Sequence, residues 1–265
     1  MLKLRKVISL LVIILSVYST VVFAQASTPS IDKTKLDAGL VSINYNPQKQ
    51  VTTKVIISKG DVKYTYNLKS NNSFPLQFGD GEYTISILEN VEGNKYKLVE
   101  KEDVILKSTN KNEVFLQSIQ MIDWNNDMIP IKKARELTKD AKNDKDKVTA
   151  IYNYIINNIS YDNNKINNIS TEYIPSIEET LKVSKGICYD YSALFAAMLR
   201  SVDVPTKLMM GRKSDIDTYH AWNQVYLNDT NEWITIDTTY DAAKKTKSPN
   251  LMIKNEKEYS IEKQY

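Results

Sequence analysis

The chain has 265 residues, with 35 Lys and Arg against 32 Asp and Glu and a formal net charge of +3. Its single cysteine cannot close an internal bridge, which excludes a small disulfide-stapled fold. A 42% hydrophobic and 25% charged composition is that of a folded globular protein and excludes a disordered or low-complexity chain.

Lys3, Arg5 and Lys6 precede the uncharged apolar run VISLLVIILSVYSTVVFA, which closes in Ala24-Gln25-Ala26. A basic head, an apolar middle and an A-x-A end form the pattern of a secretory signal peptide over 1–26. A retained membrane anchor is the alternative, because the run is nearly long enough to span a bilayer. Either way the remainder is expected outside the membrane, secreted or on the cell surface, and contact with the membrane is expected only through this segment. Without those three basic residues the balance is 32 against 32, so the charge gives no ground for a nucleic-acid partner.

Residues 27–38 are polar and read as a linker. From 39 to 118 short alternating runs follow one another: VSINYNP, TKVIISKGDVKYTYNL, FPLQFGDGEYTISILEN and NKYKLVEKEDVILK. Turn formers such as Lys59-Gly60-Asp61, Gly79-Asp80-Gly81 and Glu92-Gly93-Asn94 separate them. This spacing predicts a small all-β, sandwich-like module of immunoglobulin-like character.

The period changes near Trp124. IPIKKARELTKDAKN is helical, and in DKDKVTAIYNYIINNISYD the residues Val148, Ile151, Tyr152, Ile155, Ile156 and Ile159 draw one apolar stripe along a helix. SIEETLKVSKG predicts a short helix. In KGICYDYSALFAAMLRSVDVP a helix begins at about Cys188, with Leu194, Phe195, Met198 and Leu199 as its apolar face, and stops before Pro205. Three strands follow, TKLMMGRK, HAWNQVYL and EWITIDTTY, the last two joined by a turn at 228–231. From 244 to 265 the pattern fades into a charged tail.

Cys188 and His220 are the only cysteine and histidine in the chain. His220 stands at the start of one strand and Asp237 at the end of the next, so antiparallel pairing brings them together. His220 and Trp222 share a face by the two-residue strand period. A helix N-terminus presents unpaired N–H groups and a positive dipole end, which favour a thiolate at Cys188. Cys188 as nucleophile, His220 as base and Asp237 as orienting carboxylate form the constellation that acyl transfer requires. Each residue also has an ordinary reading: packed core for Cys188 and His220, a strand-end cap for Asp237. Their joint placement favours the chemical one.

These blocks, GICYDYSALFAAMLRSVDVPTKLMMG, YHAWNQVYL and EWITIDTTYD, with the upstream helix closing in NNISYD, resemble the core of the transglutaminase-like superfamily over roughly residues 130–242. The resemblance implies an α+β, papain-like fold over 124–243, with the cysteine helix packed on an antiparallel sheet. By matching position it implies catalytic Cys188, His220 and Asp237, and places Tyr161 and Trp222 as residues that could line the substrate cleft. For Trp222 core packing is the competing role. Asp203 departs from the family pattern, which has Gly before Val-Pro.

No cofactor is expected. One histidine and one cysteine do not supply a zinc site, no acidic loop matches a calcium site, and with most of the 7 glycines committed to turns no phosphate-cradling glycine loop is expected. The expected function is thiol acyl transfer on extracellular proteins or peptides, wall-associated ones included, by crosslinking or deamidation of glutamine. The alternatives are a cysteine peptidase using the same residues, and a catalytically idle surface-binding protein.

Overall fold

The computed structural model describes residues 28–47, 50–68, 73–244 and 252–265. The expected signal peptide lies outside them. No helix among the described residues is long and apolar enough to cross a membrane.

Among its described residues the first region is built of strands and short turns. β1 (Ser30–Asp32), β2 (Leu40–Asn44), β3 (Thr53–Lys59), β4 (Val62–Asn67), β5 (Ser73–Pro75), β6 (Gly81–Glu92) and β7 (Lys95–Leu106) form two antiparallel sheets, ordered β1-β2-β5 and β4-β3-β6-β7. The alternation that defines these strands sends Val55, Ile57, Tyr83, Ile85 and Ile87 inward, all at most 1% exposed. Leu40, Val41, Ile43 and Phe74 are buried in the same core. The expected linker 27–38 is in part structured: β1 pairs with β2, and Leu36–Ala38 form a 3-10 turn. Three residues are too few for a period to show, and backbone pairing rather than pattern makes this strand.

The second region mixes helices and sheet. α1 (Ile129–Thr138) and α2 (Asp144–Asn158) lead into β8 (Ser160–Tyr161), α3 (Asn163–Ile166), α4 (Ile177–Val183), β9 (Lys185–Gly186) and α5 (Cys188–Arg200). β10 (Thr206–Lys213), β11 (Ile216–Leu227) and β12 (Glu232–Ile236) form an antiparallel meander, followed by α6 (Thr238–Lys244), β13 (Ile253–Lys254) and β14 (Tyr259–Gln264). The five-stranded sheet runs β13-β12-β11-β10-β14. The α2 stripe is inward as expected, with Val148, Ile151 and Ile155 fully buried and Ile156 partly so.

α5 differs from its expected amphipathic form. Every residue but Tyr189 is buried. The helix is enclosed by α1, α2, α4 and α6 together with β10 and β11, so it has no solvent face. Beyond it Asp203 adopts φ +64°, the left-handed backbone that Gly takes without steric cost. The family's Gly at this point is therefore a backbone requirement, which here falls on an aspartate.

The expected charged tail from 244 also differs. Residues 245–251 lie outside the described part, but β14 returns to pair along β10, from Lys213↔Tyr259 to Met209↔Gln264, and Tyr265 is buried. β14 is an edge strand with mostly exposed side chains, so its sequence has no apolar alternation to betray it. Backbone bonds hold it, with Leu208 and Tyr265 exchanging N–H···O contacts at 2.9 and 2.8 Å.

The two regions share one contiguous apolar core. Tyr265 packs edge-on against Tyr64 and Tyr66, the Gln264 amide N–H donates to the Tyr64 hydroxyl at 2.9 Å, and Gln120 donates to the Asn67 carbonyl at 2.7 Å.

Candidate active site

Cys188 is the first residue of α5, after Ile187 in extended conformation. Ile187 has no polar side chain to cap the helix. The capping falls instead to Asp190, whose Oδ2 accepts the Ile187 N–H at 2.8 Å. Asp190 has no solvent exposure, and its carboxylate also accepts from the Tyr173 hydroxyl and from Lys165 Nζ at 2.8 Å. A buried carboxylate with three donors in the first helical turn offsets its own desolvation and complements the dipole. Gly186 is required for this arrangement. A Cβ there would stand 2.6 Å from the Asp190 Cβ, closer than real Cβ atoms approach.

His220 lies within β11, which begins four residues earlier than expected, at Ile216. The β11–β12 ladder runs from Leu227↔Glu232 to Asn223↔Ile236. One step further would place Asp237 opposite Trp222, so His220 is its diagonal neighbour. The diagonal is closed by a hydrogen bond of 2.8 Å between His220 Nε2 and Asp237 Oδ2. With Nε2 so held, Nδ1 is the ring nitrogen left to exchange a proton with Cys188, which lies near enough to act on the imidazole. Burial alone would lower the His220 pKa. Its bond to Asp237, and the neighbouring Asp237 and Cys188, outweigh that and push it up to about 10. Cys188 is 8% exposed, His220 4% and Asp237 0%.

Asp237 is fully engaged. Oδ1 accepts the backbone N–H of Tyr240 at 3.0 Å, which caps α6, and Oδ2 also accepts the Tyr259 hydroxyl at 3.1 Å. Tyr259 packs on Trp222 with ring centroids 4.9 Å apart, and Trp222 lies nearly parallel to the His220 ring, 17° off at 6.2 Å. Trp222 is 1% exposed, so it walls the imidazole from behind and does not line an open cleft. Tyr161 is 37% exposed. β8 pairs it in parallel with Gly186, and it lies close enough that burial, then the charges of Cys188 and Asp190, raise its pKa.

The structure thus brings Cys188, His220 and Asp237 together, sets Tyr161 beside the cysteine, and buries Trp222. Sequence reasoning missed Tyr259 and Asp190. The first lay in the presumed tail. The second had a legible signal in its position, three residues after the helix cap, where an acidic side chain reaches back to the cap N–H. Among the described residues no group of three or more His, Cys, Asp or Glu side chains gathers as a metal site.

A cysteine at the first turn of a buried helix, packed on an antiparallel sheet that carries histidine, defines a transglutaminase-like core preceded by an all-β region. Residues 131–238 match the family model described as Transglutaminase-like superfamily, which identifies this segment as a transglutaminase-like core. No curated protein matches the chain. Among solved structures it is similar to a candidate cysteine protease from Cytophaga hutchinsonii, at 16% identity and TM-score 0.41, covering 71% of this chain and 72% of that one. It is also similar to a protein described as a TGase, at 22% identity and TM-score 0.35, covering 49% of this chain and 35% of that one. A transglutaminase from red sea bream aligns at 10% identity and TM-score 0.25, covering 76% of this chain and 48% of that one. At these TM-scores the likenesses add nothing to the family match.

Proposed function

We propose that the chain is a thiol acyltransferase acting outside the membrane on proteins or peptides. The observation that supports this best is the buried row of Cys188, His220 and Asp237, with the cysteine at a helix N-terminus near the imidazole and the imidazole bonded to the carboxylate. The Cys188 thiolate attacks the carbonyl carbon of a glutamine carboxamide. The oxyanion is met by N–H groups of the first turn of α5. The C–N bond breaks as His220 delivers its proton to the departing ammonia, leaving a thioester. An amine or water then gives its proton to His220 and attacks the thioester, and the thiolate departs. Asp237 holds the imidazole through both steps and neutralises its charge. Tyr161 lines the approach to Cys188.

The test is mass spectrometry of a glutamine-containing protein incubated with a primary amine and either wild type or Cys188→Ala. Amine incorporation or conversion of glutamine to glutamate, absent in the variant, supports acyl transfer. Chain cleavage alone would make the same residues those of a peptidase. If none occurs, and iodoacetamide alkylates Cys188 with the pH dependence of an ordinary thiol unaffected by His220→Ala, the enzyme reading is wrong.

A further inference from the structure

A cavity of about 460 Å³ opens between the β region and the core, within the range of roughly 300–1,000 Å³ typical of ligand sites. Its position relates it to the active site. Tyr189 in its wall directly follows Cys188 on α5, while Tyr219, next to His220 on β11, faces the other side of that strand from the imidazole. A third wall residue, Tyr173, packs edge-on against Tyr189 at 6.2 Å and donates its hydroxyl to Asp190, the carboxylate that caps the nucleophile helix. The cavity wall and the first turn of α5 are therefore one hydrogen-bonded unit. The opposite wall belongs to the β region, through Lys54 on β3 and Thr65 and Asn67 on β4.

The charged residues lining this space are Lys54, Lys263 and Glu172, two cations against one anion. Lys54 is steadied over the Tyr96 ring at 4.8 Å. Lys263 projects from β14 and is exposed. Tyrosine rings and two separated ammonium groups suit a peptide carrying carboxylate side chains more than a small neutral amide.

We propose that this cavity is a substrate subsite, in which an acidic peptide segment flanking the reactive glutamine is held between the β region and the core. The proposal rests on the acyl-transfer reading for the direction of the chain toward Cys188. It assigns the β region a direct part in substrate selection, which the position of that region in the chain does not reveal.

The test uses the chain bearing Cys188→Ala, so that binding is read without turnover. Two fluorescein-labelled eight-residue peptides with one central glutamine are compared by anisotropy, one flanked by glutamates and one by lysines. The acidic peptide is expected to bind at least about tenfold tighter at low salt, with the gap closing as salt is raised. Lys54→Glu with Lys263→Glu removes the preference. Glu172→Lys strengthens acidic-peptide binding, a gain that a misfolded variant cannot give. Equal affinity for the two peptides, no binding of either, or a preference untouched by these substitutions would overturn the proposal. Iodoacetamide reactivity of the chain with Cys188 intact separates the two readings. An activated Cys188 without acidic-peptide binding defeats the subsite alone, whereas acidic-peptide binding beside an ordinary thiol keeps the subsite and defeats the acyl-transfer reading.

Discussion

Tyr259 donates to the same carboxylate oxygen that holds His220, and its ring packs on the tryptophan behind that histidine. Hydrogen bonds to a charged group contribute about 1.5–3 kcal/mol. Tyr259→Phe keeps the ring and deletes the donor, so turnover is expected to fall by about ten- to a hundredfold with KM little changed. A variant with unaltered turnover would show Tyr259 to be packing alone. The histidine itself gives a pH signature. Its folded pKa is raised from 6.5 to about 10, so the proton is bound more tightly in the folded chain. The stabilisation is complete below the unfolded value of 6.5, declines as pH rises, and is gone above about 10. Thermal melting across that window should fall more steeply in wild type than in His220→Ala, and parallel slopes would refute the assignment.

Among the elements, β14 depends on a residue outside itself. A Cβ at Gly211 would stand 1.9 Å from the Ser260 carbonyl oxygen, at the point where the β10–β14 register shifts. Gly211→Ala therefore forces β14 away from β10 and carries Tyr259 off Asp237. The expected result is faster proteolysis within 252–265 and loss of Cys188 activation, with the β region still folded by hydrogen exchange. Retention of both would mean the strand can shift without consequence. The same element marks where sequence reading ends. α2 and the β10–β12 meander were legible because buried faces impose a period on Val148, Ile151 and Ile155 and on the strands beside them. Cys188 could be placed at a helix start and His220 near Asp237, because a helix terminus and a tight turn are local. β14 was not legible, since an edge strand of mostly exposed side chains is held by backbone pairing that leaves little mark on residue type. The full burial of α5 was likewise hidden, because packing on every side depends on elements distant in sequence.

At the scale of the whole molecule, Arg200 is the joint. It is 2% exposed and donates to three carbonyls: Thr206 at 2.9 Å, Gln117 at 2.6 Å and Tyr265 at 3.2 Å. One side chain thus ties the end of α5, the segment leaving the β region and the C-terminal strand. Burial alone draws its pKa down to about 9. Arg200→Met fills the space but strands three carbonyls, at a cost of about 3 kcal/mol or more. A single melting transition is expected to split in two as the regions uncouple, and an unsplit, unshifted melt would show that the apolar seam suffices without the guanidinium. The solitary thiol has a consequence of a different kind. Cys188 is the only cysteine in this sequence, so a sulfenic acid formed on it finds no second thiol in the chain with which to condense. Peroxide damage there has no internal repair by disulfide, and the sulfur's defence against oxidants is the burial that leaves it 8% exposed.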